Sequence, residues 1–411
     1  MITRRCLLEG AAKIALAAGP AQLAAMPAEA KERPDFLSPL LPSGTREEAV
    51  LDTLPGKKPL IKLTYRPPNY ETPIFYFRSA ITPNDAFFVR YHLAGIESVD
   101  AKTWTLNIGG DGARGSAQLG LADLKKLPAF EVTAVCQCAG NRRGLLHPHG
   151  AGVQWSYGAM GCARWKGARL KDVLELAGLR KEAVEIVFDG ADGPVLAQTP
   201  DFAKSIPVSK AVDETTLIAY EMNGEPLPHW NGFPARIVVP GWTATYWVKH
   251  ISQITAVTKP FDGYWMKKAY RIPPGKFPVA EQFLSQESAA NAPVTEIVVN
   301  SLITSPFDGT RVHRHRRTAL GGIAWDGGSG IRSVEISIDG GKSWEEAKLG
   351  EDLGRFAFRP FSFDFVPRRR GRLVIAARAT NSAGQTQVSE AIENPAGYNN
   401  NVIQTITLDA V

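Results

Sequence analysis

The segment Val-Cys-Gln-Cys-Ala-Gly-Asn-Arg-Arg-Gly, residues 135–144, concentrates more reactive chemistry than any other part of the chain. A thiol, Cys138, leaves a β-branched run and enters a turn carrying Gly140 and Asn141, with Arg142 and Arg143 directly after it. Two adjacent guanidinium groups are permanently charged and rich in donors, the makings of an oxyanion site. They also favour a nearby thiol as thiolate, the form that binds soft metals. Two plainer readings stand beside this one: a buried core cysteine next to a solvated basic turn, or a Cys136–Cys138 pair. Alternation along a strand puts those two side chains on one face about 7 Å apart, at the edge of disulfide reach. No further Cys/His pair has zinc-finger spacing.

These residues must be held by a sizeable scaffold. The chain has 411 residues, enough for two or three domains. Hydrophobic residues make up 44% and charged residues 21%, which excludes disorder, collagen and coiled coil. The 38 glycines and 29 prolines favour strands and structured loops over long helices. A net charge of +6 permits an anionic substrate or acidic partner and gives no sign of nucleic-acid binding. Four cysteines are too few for a disulfide scaffold, and without a Cys-x-x-Cys-His the chain attaches no c-type haem.

Residues 1–30 read as an export leader. Arg4-Arg5 precede Leu7-Leu8, a weakly apolar alanine-rich stretch and the small-x-small site Ala28-Glu29-Ala30, which resembles a twin-arginine signal peptide. That pathway carries folded proteins, so a cofactor-bearing periplasmic protein is expected. No apolar run of about 20 residues follows, so no membrane span is expected. Residues 31–75 are proline-rich and are expected to wrap as extended segments. Over 76–260, short strand runs alternate with two helical patterns, LADLKKLP and ARLKDVLELAGL, which reads as α+β with a mixed sheet. Residues 261–290 form an irregular connector. From 291 to 411 alternating strands and the Asp339-Gly340-Gly341 turn signal predict an all-β immunoglobulin-like sandwich.

The motifs, in order, resemble those of the sulfite oxidase family of molybdopterin enzymes. CAGNRRG is similar to its molybdenum-cysteine motif and FFVRYH (87–92) to its FFxRxH segment. LIAYEMNGEPLP and GFPARIVVPG (217–241) resemble the stretch with pterin-phosphate contacts, VKHI (248–251) the VKW lysine segment, and WMKKAY (265–270) the connector ending in the active-site tyrosine. The part after residue 290 is similar to the family's dimerisation domain. The resemblance implies a mixed α/β molybdopterin domain ahead of the sandwich, and one molybdenum-molybdopterin per chain with Cys138 as the metal's thiolate ligand. It implies Arg90, Arg143, Trp155 and Tyr270 at the substrate. It implies Phe88, Val89, Arg90, Tyr91, His92, Asp192, Asn231, Arg236, Trp247, Val248 and Lys249 around the cofactor. Cys136 matches nothing and receives no role.

The reaction implied is oxidation of sulfite to sulfate by oxygen-atom transfer from a Mo=O group, with electrons leaving singly to a c-type cytochrome and the chain a homodimer. A periplasmic reductase of methionine sulfoxide or a related S- or N-oxide is the alternative within enzymes, and a non-enzymatic secreted binding protein is the rival outside them. There are two departures from the animal relatives. Asn231 stands where they carry histidine before Gly-Phe-Pro, with His229 a replacement, and their C-terminal pocket arginine falls near Ala396 in NPAGYNNN. No haem-binding cytochrome b5 domain like theirs is expected in this chain, so electrons are expected to leave to a separate protein. His147-Pro148-His149 reads as a surface loop rather than a metal site. RVHRHRR (311–317) reads as a solvated strand edge or turn, with a phosphate or partner site as the alternative.

Overall fold

A computed structural model describes residues 50–95, 98–194, 196–273, 291–392 and 394–411. The leader expected at 1–30 lies outside these residues, as do the first part of the segment expected at 31–75 and residues 274–290 of the connector. Strands dominate and helices are short, the longest being Leu170–Ala177. Among the described residues no helix is long and apolar enough to cross a membrane.

The segment expected merely to wrap as extended chain pairs into a sheet in its described part. Leu51–Asp52, Leu60–Thr64, Asn69–Glu71 and Val89–Arg90 lie side by side. Leu60, Tyr70, Val89 and Tyr91 give it a small core of its own, so burial rather than wrapping decides its form.

Two five-stranded sheets build the site-bearing half. One runs in the order Ala203–Pro207, Glu185–Gly190, Ile251–Val257, Thr105–Gly109, Ala117–Gly120; its 251–257/105–109 pair is parallel and the rest antiparallel, so the sheet is mixed as expected. The other orders Glu225–Pro226, Leu217–Met222, Met160–Arg169 and Ala129–Gln137, with Arg236–Val238 also on Leu217–Met222. The sandwich follows. Asn300–Ser305, Thr318–Trp325, Arg359–Phe365 and Lys348–Leu349 form one sheet. Arg311–Val312, Gln404–Ala410, Gly371–Asn381, Ile331–Ser337 and Glu345–Glu346 form the other.

The strand Ala129–Gln137 serves two cores at once because its side chains alternate between faces. Ala134 and Cys136 face the catalytic core, and Cys138 joins them just past the strand's end. Val135 faces the second cluster, with Ile297, Leu302, Ile323, Trp325 and Phe358 of the sandwich. Val135 N–H donates to Phe356 O at 2.8 Å, and Trp325 Nε1–H donates to Gln137 Oε1 at 2.6 Å. The sandwich thus backs the strand whose end presents the thiol.

A buried carboxylate fixes the loop facing that thiol. Glu71 accepts hydrogen bonds from Ser156 N–H at 2.8 Å, from Tyr157 and Gly158 N–H at 2.9 Å each, and from the Ser156 hydroxyl. Burial pushes its carboxyl up while those donors pull it down. Glu71→Ala would leave three buried N–H groups unpaired, at roughly 1–3 kcal/mol each. A loss of at least about 3 kcal/mol of unfolding free energy is expected in a urea titration, with Glu71→Gln losing clearly less.

Candidate active site

Nineteen residues line one cavity at the end of the strand that carries Cys136. Cys138 and Cys136 supply sulfur to it, and Phe88, Arg90, Tyr91, His92, Asp192, Asn231, Arg236, Trp247, Val248, Lys249 and Tyr270 all border it. Of the expected cofactor residues only Val89 is missing. Its side chain turns into the small N-terminal core, because Val89 and Arg90 are strand neighbours on opposite faces.

Cys138 sits where the strand stops. Its N–H donates to Ala159 O at 2.9 Å, and its carbonyl accepts from Asn141 N–H at 2.9 Å, so the turn is stitched on both sides of the thiol. Cys136 is wholly buried, and burial pushes its thiol up to about 11. Arg236 Nη2 lies 4.0 Å from its sulfur.

The two arginines of the turn part company, which corrects the expectation of a paired guanidinium site. Arg142 adopts the left-handed backbone (φ 68°) and reaches into the sandwich, donating to Asn300 Oδ1 at 2.5 Å and Val402 O at 2.7 Å. Arg143 turns the other way and donates to Ala396 O and to Val153 O at 3.1 Å. Its guanidinium fits over Gly140 and Gly152, where any Cβ would collide with it. Neither Arg143 nor Trp155 lines the cavity. Trp155 is fully buried with its indole N–H unpartnered, edge-on to the cavity-lining Phe88 at 6.5 Å.

The floor of the cavity is cationic. Lys249 donates to Arg90 O at 2.6 Å and packs on the Tyr91 ring. Arg236 donates to Asn231 O at 3.0 Å and Trp247 O at 2.8 Å between the rings of Trp165 and Trp247. Arg90 donates to Asn69 Oδ1 at 3.2 Å and to Tyr91 O. Carbonyl and amide oxygens thus hold these cations. Among the described residues, the one carboxylate on the cavity wall is Asp192. Desolvation pulls Lys249 well below the usual lysine range, with the Arg236 charge adding to it and Asp192 opposing. Asp192 is pushed up by its own burial, against the pull of Lys249.

At the other side His92 stacks on Phe202 at 3.8 Å and hydrogen-bonds the Tyr270 hydroxyl through Nε2. Burial, reinforced by the Arg90, Lys249, Lys204 and Arg143 charges, drives His92 well below its ordinary value, and burial raises Tyr270. Both are therefore neutral near pH 7.

Sequence reasoning missed several residues. Lys57 is buried and donates to Asn84 O at 2.6 Å, Phe87 O at 3.1 Å and Asn231 Oδ1 at 2.5 Å; burial lowers it to about 7. It fixes the amide that stands in the place of the relatives' histidine; His229 does not border the cavity. Lys204, fully buried, donates to Trp265 O at 2.7 Å and lies over the rings of Tyr246 and Tyr270. Tyr398, from the sandwich's last loop, stacks on Tyr270 at 5.2 Å and carries the Arg143 guanidinium at 5.2 Å on its ring. A lone lysine or tyrosine far away in sequence carries no local signal of such a role. His147 and His149 are exposed with rings 4.9 Å apart, and among the described residues no group of three or more metal-ligating side chains forms.

A buried cluster of cations with so little compensating carboxylate is costly unless it meets an anion. Arg236 Nε and Thr245 Oγ1, on cavity-lining residues, are buried donors without a partner. A sulfur donor at one end and a cationic floor at the other suit a metal-bearing cofactor with an anionic tail, so the residues fit a molybdopterin.

Comparison with known proteins agrees. The model of the oxidoreductase molybdopterin binding domain matches residues 92–265, and that of the Mo-co oxidoreductase dimerisation domain matches 291–410. Fold and site thus define a molybdopterin-binding oxidoreductase domain joined to a sandwich of the dimerisation type. Sulfite oxidase of Arabidopsis thaliana is 33% identical over 76% of this chain and 81% of its own length. Mitochondrial sulfite oxidase of Rattus norvegicus is 36% identical over 81% of this chain. The chain spans 62% of that rat protein, less than two thirds of its length. The crystal structure of the sulfane dehydrogenase SoxCD from Paracoccus pantotrophus superposes with a TM-score of 0.69 at 26% identity, covering 83% of this chain and 84% of that one. The chain belongs to the sulfite oxidase family.

A pH signature follows from the layer beneath the floor. Tyr91 Oη and His250 Nε2 lie 2.7 Å apart, and His250 Nδ1 lies 2.7 Å from Phe233 O, a pattern that suits a neutral imidazole donating through Nδ1. Burial lowers His250 from 6.5 to about 3. Between those values the unfolded chain binds one proton more than the native chain, so stability falls as pH falls through that window. His250→Gln keeps a donor and an acceptor without titrating. Its unfolding free energy should fall less steeply with decreasing pH over that range, by one proton; equal slopes would disprove the assignment.

Proposed function

We propose that this chain is an exported molybdenum-molybdopterin enzyme that oxidises sulfite to sulfate in the periplasm and passes the electrons singly to a c-type cytochrome, working as a homodimer. The observation that carries the reading is convergence: a strand-end thiol, a guanidinium and a phenol–imidazole pair border one cavity whose floor is uncompensated positive charge.

Cys138 would bind the metal as thiolate, with Arg236, Lys249, Asn231, Asp192, His92, Phe88, Tyr91, Trp247 and Val248 holding the pterin and its phosphate. When bound, the molybdenum centre supplies the oxygen that sulfite gains and takes up the two electrons it loses. The balance is sulfite plus water giving sulfate, two protons and two electrons. Arg90 would hold and orient the anion by charge-assisted hydrogen bonds to its oxygens. Tyr270 donates a neutral hydrogen bond at the reacting oxygens, and His92 Nε2 is the next group along for a proton reaching Tyr270 Oη. Arg143 acts from behind Tyr398, as a charge tuning Tyr270 and His92 rather than as a ligand to substrate. The twin-arginine-like leader supports export, and the dimerisation-type sandwich supports the homodimer.

Three sets of measurements test the reading. Protein made in a host that builds molybdopterin should contain one molybdenum and one fluorescent pterin per chain and reduce cytochrome c with sulfite; sulfoxide reduction without sulfite oxidation would replace sulfite with the alternative substrate class. Cys138→Ser should abolish turnover, and Cys136→Ser should retain it; equal loss would mean the wrong sulfur was chosen. Tyr398→Ala removes an aromatic pair worth about 0.5–1.5 kcal/mol, so kcat/KM for sulfite should fall roughly two- to tenfold. Tyr398→Phe should stay near wild type, because stacking rather than the hydroxyl is the contact argued.

A further inference from the structure

The run RVHRHRR takes no part in the site, and the fold gives it a companion. The turn after Arg311–Val312 lies against the turn between Arg359–Phe365 and Gly371–Asn381: His315 N–H donates to Pro367 O at 2.9 Å, and Arg314 N–H donates to Val411 O at 3.0 Å. Two segments about fifty residues apart in sequence therefore bring Arg311, Arg314, Arg316, Arg317, Arg368, Arg369, Arg370 and Arg372 to one end of the sandwich, all exposed. Against these eight guanidinium groups stand the side chains of Asp308, Asp364 and Asp409. Five positive charges, eight less three, remain uncompensated there, out of a side-chain surplus of six for the whole chain. Among the described residues, Arg317 alone of the group has an ion-pair partner, Asp364.

Composition and shape narrow what such a surface meets. Every charged base in it is arginine, the side chain that binds phosphate through a planar fork and is weakly hydrated. Valines are exposed among the arginines, Val366 at 44%, Val374 at 39% and Val411 at 42%. No aromatic side chain lies on either turn, which removes the stacking platform that single-stranded nucleic acid needs. The two turns are tips rather than walls of a groove, so they suit a plane better than a ligand that must be enclosed. A two-fold contact of this patch with its own copy would set like charges face to face, which costs binding energy. Asn400 and Val402, which touch the metal-site turn, lead into Gln404–Ala410, and the patch lies at the far end of that strand. A surface engaging the patch leaves the cavity end free.

We propose that this arginine-rich end docks the enzyme onto an anionic phospholipid surface, the guanidinium groups pairing with lipid phosphates and the interspersed valines resting at the headgroup level. Basic side chains held at such a surface each strengthen binding roughly fivefold, and salt screens them. The full chain should co-sediment with phosphatidylglycerol-containing vesicles at low ionic strength, should not do so with phosphatidylcholine-only vesicles, and should dissociate in high salt. The triple variant R368S/R369S/R370S should partition on the order of a hundredfold more weakly with an unchanged thermal transition, since all three side chains are exposed. That comparison also separates this patch from the basic residues near the N-terminus. Equal partitioning of variant and wild type, or retention on an acidic polypeptide such as polyglutamate without vesicle binding, would overturn the proposal.

Discussion

Everything at this site answers to one constraint: positive charge buried without enough negative charge beside it. Arg90, Arg236 and Lys249 meet around a single carboxylate, Asp192, and backbone carbonyls take most of their hydrogen bonds. Carbonyl oxygens orient a cation but do not neutralise it, so the field of the cluster points into the cavity. That field adds to burial in disfavouring protonation of the neighbouring bases. His92 and Lys249 are lowered by burial and by each other's cationic neighbours, and the same field selects an anion as occupant. The layer behind the floor is built for this load, with Tyr91 held against His250 and Asn231 held by Lys57.

The second constraint is mechanical. The Cys138 thiol is fixed from behind. The strand Ala129–Gln137 presents alternate residues to two cores, and the sandwich grips its rear face through Val135 and Gln137. Arg142 extends the grip past the strand end by spanning to Asn300 and Val402, while Asn400 Nδ2 donates back to the Arg142 carbonyl at 3.0 Å. The left-handed backbone at Arg142 is an uncommon conformation for a non-glycine residue, and this network of bonds over-determines it. The sandwich is thus part of the catalytic scaffold whatever else it does in assembly.

Much of this was legible in the chain because it is local. The strand-turn-arginine run around Cys138, the alternation that makes the sandwich and the helical period of Leu170–Ala177 all leave marks within ten residues. Tyr270 and Lys249 were found through ordered motifs rather than through any physical signal of their own. What stayed hidden depends on distance and direction. Adjacency in sequence suggested that Arg142 and Arg143 act together, yet an αL residue between strand and short helix sends the two side chains to opposite sides. Lys57 and Lys204 look like ordinary surface lysines until the fold buries them, and Val89 shares a motif with Arg90 but faces the other way.

The C-terminal loop shows how a lost charge can be offset by rearranging the charges that remain. Ala396 offers only a methyl group where a guanidinium was expected, but its carbonyl accepts from Arg143, which lies outside the cavity lining with the Tyr398 ring over its guanidinium. Tyr398 then lies flat on Tyr270, so the same ring shields a cation on one side and orients the phenol on the other. Because Asn399 N–H donates to Ala139 O at 3.0 Å, the loop is fastened to the residue beside Cys138. A substitution in this loop therefore acts on the Cys138 turn, Tyr270 and Arg143 together. Of the two arginines expected at substrate, Arg90 borders the cavity and Arg143 stands behind the stacked rings of Tyr398 and Tyr270.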